Sequence, residues 1–271
     1  MATHAVEIAQ GERFQFGENW RRFLANLDEQ RIAAAEQSLR DMLEVSDLKG
    51  RTFLDIGSGS GLFSLAARRL GARVHSLDYD PQSVACTREL RRRYFESDPD
   101  WRVEEGSALD PAYLQSLGKF DVVYSWGVLH HTGQMWQALE NAVLPVREGG
   151  LLFIALYNDQ GGISRRWTSI KRNYVRHRIL RGPIIAWSFA YLFGGSFVKN
   201  LLRGRPMKAF ESPGRGMSVW HDMIDWVGGY PFEVAGPGEI FEFFKQRGFN
   251  LTRLVTTHSL GCNEFVFRRV R

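Results

Sequence analysis

The segment Leu54-Asp55-Ile56-Gly57-Ser58-Gly59-Ser60-Gly61 constrains this chain more than any other. It stands between a short apolar run and an amphipathic stretch starting at Leu62, the order of strand, glycine turn and helix. Glycine at alternate positions permits positive φ and close approach of a ligand to the backbone, and the following helix offers its free N-terminal amides and its dipole. The spacing is not that of a dinucleotide fingerprint, because Leu62 stands where the last glycine of G-x-G-x-x-G belongs. Asp55 adds a carboxylate that would repel a pyrophosphate and suits a ligand carrying an ammonium group. The turn reads as a nucleoside-binding site formed by Asp55, Gly57, Ser58, Gly59 and Gly61.

Beyond the loop, strands and helices alternate. The pattern predicts strands over 73–77, 101–105, 120–126 and 151–156, the last after a turn at Gly149-Gly150. Between them it predicts helices over 62–70, from Pro81 with Asp80 as cap, over 111–117 with Asp110 as cap, and over 134–146. Such alternation implies a mainly parallel sheet covered on both faces. Ligands then lie at the carboxyl ends of the strands, where Asp55, Asp78, Tyr79, Ser107 and Trp126 fall. Asp78 is roughly 20 positions past the loop, where a doubly wound sheet places the acid that binds ribose hydroxyls. A helix over 238–246 and strands over 250–257 and 264–268, joined at Gly261-Cys262-Asn263, close the sheet with an antiparallel pair. The expected fold is α/β, a Rossmann-like doubly wound sheet with an inserted cap.

With its acid followed by G-x-G-x-G, the chain resembles the class I S-adenosylmethionine (AdoMet) methyltransferases. The likeness extends over 51–157, through Val122-Val123-Tyr124-Ser125-Trp126-Gly127-Val128-Leu129-His130-His131 and Arg147-Glu148-Gly149-Gly150-Leu151-Leu152-Phe153-Ile154. It implies AdoMet (S-adenosyl-L-methionine) as cofactor, Gly57 and Gly59 against it, Asp78 on its ribose, and Ser107 with Ala108 at the adenine. Position 107 departs from the many relatives that carry Asp, which moves the adenine amino contact to a backbone carbonyl or to the serine hydroxyl. In the resembling enzymes an N-terminal helical segment covers AdoMet. That makes Trp20 and Arg21 lid candidates, with Arg21 able to pair the methionine carboxylate. The general likeness is to the O-methyltransferases of ubiquinone biosynthesis.

Methyl transfer from a sulfonium is an in-line displacement, and a hydroxyl acceptor benefits from a general base. His131, His130 and His221 are the candidates, and as neighbours His130 and His131 are expected to point apart, so that only one meets the acceptor. The leading function is methyl transfer to an oxygen of a small, lipophilic acceptor. The alternatives are an RNA or protein methyltransferase and a non-catalytic AdoMet-binding protein. No metal-ligand spacing is present.

The expected organisation is an N-terminal lid over 1–50, a cofactor core over 51–157, a cap over 158–235 and a closing segment over 236–271. The insertion exceeds an ordinary connection. Its first part, Arg165 to Arg181, is strongly basic with interleaved aromatics, and the apolar run 184–198 is too short for a comfortable transmembrane span. Packing on the core, peripheral membrane contact through 165–202 and nucleic-acid contact are the three readings. Acidic residues throughout and a net charge of only +5 disfavour nucleic acid. Two distant cysteines, Cys86 and Cys262, and an N-terminus without a continuous apolar run point to a cytoplasmic setting.

Overall fold

The computed structural model describes residues 4–202 and 219–270. Its seven strands are β1 (Thr52–Ile56), β2 (Arg73–Asp78), β3 (Trp101–Glu105), β4 (Phe120–Trp126), β5 (Val146–Tyr157), β6 (Phe249–Val255) and β7 (Cys262–Arg269). They form one sheet in the order β3-β2-β1-β4-β5-β7-β6. The first five strands are parallel, and β7 runs antiparallel to both β5 and β6. Strand order reverses between β1 and β4, so a ligand cleft belongs at their carboxyl ends.

Alternate residues on each strand supply two apolar layers. Phe53, Tyr124 and Phe153 face α3 (Glu29–Leu43), α4 (Leu62–Arg69) and α5 (Pro81–Tyr94). Leu54, Val123 and Ile154 face α6 (Pro111–Ser116), α7 (Met135–Val143) and α11 (Pro237–Lys245). The caps read from sequence are present: Asp80 accepts from Gln82 N and Asp110 from Tyr113 N, each with proline at the helix start.

Three expected boundaries move. The Gly149-Gly150 turn lies inside β5, because pairing with β4 begins at Phe120–Val146 and a register shift absorbs the extra residues, with Gly149 at φ 70°. For the same reason α7 stops at Val143. Cys262 opens β7 opposite Tyr157 instead of lying in the turn.

Two additions sit over the carboxyl ends of the strands. The N-terminal segment contributes α1 (His4–Ala9) and α2 (Gly17–Ala25). The insertion contributes α8 (Gly162–Arg176), α9 (Arg181–Leu202) and α10 (Val219–Gly228), and an isolated bridge between Asn158 and Ala235 brings its two ends together. A third apolar cluster around Trp167, Tyr174, Met223, Val227 and Phe232 holds the insertion, with Phe14 and Tyr157 packed against it.

A directed chain of buried hydrogen bonds ties the sheet to the helix after the glycine loop. Trp101 Nε1 donates to Ser76 Oγ (2.9 Å), the Ser76 and Ser64 hydroxyls lie 2.7 Å apart, and Ser64 Oγ donates to Asp55 Oδ2 (2.6 Å). We predict that Trp101→Phe, which keeps an apolar body but removes the head of this chain, lowers stability by about 0.5–1.5 kcal/mol. Trp101→Ala should cost about 3–5 kcal/mol in urea unfolding, because a fully enclosed ring leaves a cavity. Equal losses in both variants would mean that the hydrogen bond dominates the packing.

Candidate active site

The loop after β1 is drawn tight against its surroundings. Gly57 N and Ser58 N both donate to Leu77 O, which hooks the turn over the end of β2. Gly57 (φ 86°) lies so close to Val128 that an added Cβ would sit 2.4 Å from its methyl, and one on Gly59 would sit 3.1 Å from the Trp20 indole. Gly61 starts α4 with a positive φ of 82°, and Ser58 Oγ meets Thr87 Oγ1 of α5 at 2.9 Å.

Two carboxyl groups underlie this loop. Asp55 is buried beneath α4 with Ser64 as its hydrogen-bond donor, and burial raises its pKa to about 7, with Asp78 adding repulsion. The expected carboxylate beside the cleft is therefore a carboxyl group under it. Asp78 accepts from Gly59 N and Asp80 N, each at 2.9 Å, and burial raises it to about 6 despite these bonds. Among the described residues neither is in an ion pair. Two acids raised by burial, with no cation paired to them among the described residues, suit a positively charged ligand better than a pyrophosphate.

The N-terminal segment is docked on the end of β2. Gly17 N donates to Asp80 Oδ2 (2.9 Å), and a Cβ on Gly17 would lie 2.5 Å from Gln82 Cβ, so glycine permits the contact. Tyr79 receives His4 edge-on at 5.4 Å, and its hydroxyl donates to Glu7. Trp20 thus reaches the loop as placed. Arg21 is exposed. The inward arginine is Arg13, which pairs with Glu7 (2.6 Å), lies over the Tyr79 ring and donates to His131 O (2.9 Å). Lone arginines in a lid segment carry no sequence signal of which one turns inward.

At the other expected positions, Ser107 Oγ accepts from Leu109 N, and Ala108 is buried with its carbonyl held by Asn141. Gly106 is pressed on Tyr113, where a Cβ would meet the ring at 2.3 Å. Trp126 ends β4, but its Nε1 reaches across β5 to Glu264 at 3.1 Å, which spends its N–H away from the loop. The structure brings Asp55, Asp78, the glycines and Trp20 together and places Arg21 outside.

The turn after β4 holds both histidines on one short 3-10 helix, Leu129–His131. Contrary to expectation they do not point apart: the rings are 4.5 Å centre to centre, and both contact Tyr157, at 4.1 and 5.6 Å. A 3-10 turn rotates successive side chains by only about 120°, and Tyr157 at the end of β5 fills the angle between them. Their hydrogen bonds give them opposite characters. Tyr157 N donates to His130 Nδ1 (3.3 Å), so neutral His130 carries its proton on Nε2, which is enclosed without a partner. His131 Nδ1 lies 2.6 Å from Pro231 O, an acceptor only, so His131 carries its proton there and presents a lone pair at Nε2. Burial lowers both, His130 well below its ordinary value and His131 to about 3, so both are neutral at physiological pH. His221 falls in α10 and its side chain lies outside the described residues.

One buried cation escapes a charge-based reading. Lys171, within the basic run, is fully buried, and burial lowers its pKa well below the ordinary value. The signal was periodicity: Ser164, Trp167, Lys171, Tyr174 and Val175 form one buried stripe of α8, with lysine in an apolar position. Arg165, Arg166, Arg172 and Arg176 lie on its exposed face, and Arg178 is exposed just beyond its end.

Comparison with known proteins agrees with this geometry. Residues 54–152 match the family model for a methyltransferase domain. A ubiquinone biosynthesis O-methyltransferase of Methylobacterium sp. (strain 4-46) is 34% identical over 134 residues, 47% of this chain and 49% of that protein. A ribosomal protein L11 methyltransferase of Tolumonas auensis is 46% identical over 57 residues, 21% of this chain and 20% of that one. The chain thus spans about half or less of the length of the curated relatives it matches. In fold it is similar to magnesium protoporphyrin IX methyltransferase of Synechocystis PCC 6803, crystallised with S-adenosylhomocysteine (TM-score 0.54, 15% identity, 93% of both chains). It is likewise similar to PKMT2 of Rickettsia typhi in complex with AdoHcy (TM-score 0.58, 12% identity, 87% of this chain and 52% of that one). Residues 54–152 thus match a methyltransferase domain, and the sheet has the Rossmann-like fold of these methyltransferase neighbours. Among methyltransferases the chain is similar in sequence to the ubiquinone biosynthesis O-methyltransferases.

AdoMet is a nucleoside with an ammonium and a sulfonium, and we propose that it binds in the field of Asp55 and Asp78, with its ribose on Asp78. Because a bound cation favours the ionised carboxylates, binding should release protons at pH values near or below the raised pKa values of about 7 and about 6. Affinity should therefore strengthen as pH rises and level off above them. Calorimetry in buffers of different ionisation enthalpy reads this directly; proton uptake on binding would show that these acids do not face the cation.

Proposed function

We propose that the chain transfers the methyl group of AdoMet to an oxygen of a small acceptor held between the N-terminal segment, the His130-His131 turn and the cap. His131 carries this reading. Its lone pair is fixed at Nε2 by the bond to Pro231 O, and it sits on the turn whose Val128 covers Gly57. Bound AdoMet supplies an electrophilic methyl on a sulfonium, so the chain has to aim an oxygen and exclude water. Arg13 and Phe16 close over His131 from the N-terminal segment, Phe16 at 5.0 Å between ring centres. With its proton affinity lowered by burial, His131 orients an acceptor hydroxyl through a hydrogen bond and takes its proton only as the methyl arrives. The names of the curated relatives support oxygen as the acceptor atom.

A single-turnover assay with methyl-labelled AdoMet against a cell extract divided into lipid, small-molecule, RNA and protein pools tests this reading. Label is expected in the lipid or small-molecule pool; label confined to RNA or protein would contradict it. His131→Gln should leave AdoMet affinity intact and slow turnover by about 10²-fold, the lower end of the general acid–base range because the base is weak.

The acceptor's lipophilic character draws support from the outer face of the cap. Ile179 is 87% exposed, and Leu180, Trp187 and Tyr191 are also exposed beside Arg165, Arg166, Arg176 and Arg178, with Arg166 over the Trp187 ring. No described helix is long and apolar enough to cross a membrane, so contact would be interfacial. Vesicles with anionic lipid should bind the protein at low salt and release it as salt rises. Arg166→Gln, Arg176→Gln and Arg178→Gln combined should weaken binding by about 1 kcal/mol per charge. No vesicle binding at low salt would leave the face as ordinary surface.

A further inference from the structure

Among the described residues the buried Lys171 has no acid partner. Its Nζ donates to Trp226 O, stands 3.9 Å from the centre of the Trp226 ring and 4.7 Å from that of Phe232, and is in no ion pair among the described residues. One carbonyl satisfies one of its three donors. Trp226 Nε1, a donor only, is enclosed without a partner, and so is His130 Nε2, which carries the proton because Nδ1 accepts from Tyr157 N. The Tyr157 ring links these groups, 4.1 Å from His130, 5.2 Å from Trp226 and 5.0 Å from Phe232 between centres. Three buried donors from three separate parts of the chain thus border one set of aromatic rings, and the carbonyl of Trp226, which takes one Lys171 N–H, is the acceptor they have among the described residues.

Buried donors left unmatched cost free energy, and an uncompensated buried ammonium costs more. A helix-capping role for Lys171 at the end of α10 explains the bond to Trp226 O but not the two other idle donors, nor the burial of a group that caps as well from the surface. We infer that Lys171, Trp226 and His130 form the recognition site for an anionic oxygen, a carboxylate or phenolate, carried by a flat aromatic acceptor that packs among Tyr157, Trp226 and Phe232. The flexible lysine stem lets Nζ turn from the carbonyl of Trp226 to the entering anion. His131, whose ring also contacts Tyr157, presents the opposite character, an acceptor. The site therefore distinguishes an anionic end of the ligand from a hydroxyl end. This assignment rests on the methyl-transfer reading for its place in the reaction, but its chemistry is tested without turnover.

The probes are 2-naphthoate and its neutral analogue 2-naphthamide, titrated into the full chain with AdoMet present and followed by calorimetry and tryptophan quenching. Naphthoate should bind at least about tenfold tighter than naphthamide, the scale of a charge-assisted hydrogen bond. Lys171→Met should abolish that preference while AdoMet affinity is kept. Trp226→Phe, which keeps a ring and removes only the N–H, should reduce it by a smaller factor and covers the case in which the lysine variant does not fold. Equal binding of the two probes to the wild type, binding of neither, or an undiminished preference in folded Lys171→Met would overturn the assignment. Retained AdoMet binding and label transfer alongside such a result would leave the methyl-transfer reading standing, whereas absence of AdoMet binding would remove that reading instead.

Discussion

The burial of Asp55 is the constraint on which the rest of the site depends. A carboxyl group in the middle strand of a sheet, under the first turn of a helix, is tolerated because Ser64 donates to it and is in turn backed by Ser76 and Trp101. That chain fixes α4 to β1, β2 and β3 at once, and so fixes the start of the helix behind the glycine loop. It does not neutralise the acid, whose pKa stays raised to about 7. The fold thus holds two acids of raised pKa at the carboxyl ends of β1 and β2, and we propose that a cationic nucleoside stabilises their ionised forms.

Over these acids lie two covers built from opposite ends of the chain. The N-terminal segment reaches the loop through Trp20 and is pinned by Gly17 on Asp80, while the insertion returns to the sheet at Ala235 and presents Pro231 and Glu233 to the histidine turn. His131 touches both covers: Arg13 holds its carbonyl and Pro231 holds its ring nitrogen. Lifting Arg13 or Pro231 away from the histidine turn therefore breaks a bond to this residue.

The sheet was legible because its signals are local. Asp80-Pro81 and Asp110-Pro111 each mark a helix start within two residues, and the alternation Phe53, Leu54, Asp55, Ile56 gives β1 its two faces. What sequence did not disclose depends on distant partners. The tautomers of His130 and His131 are set by Tyr157 and Pro231, the latter 100 positions away in the chain. Trp126 is drawn from the loop by Glu264, 138 positions on. Lys171 was hidden for a different reason, since a run of cations masks the one member that occupies the apolar stripe of its helix.

We propose that Asp55, a buried acid in no ion pair among the described residues, favours the ammonium of the cofactor through its charge. Comparing the affinity of S-adenosylhomocysteine with that of its analogue lacking the amino group, in the wild type and in Asp55→Asn, tests it as a cycle between one protein group and one ligand group. The account predicts a preference for the amine of roughly 10–100-fold in the wild type, the range of a charge-assisted hydrogen bond, and its collapse in the variant. An equal preference in both proteins would contradict it.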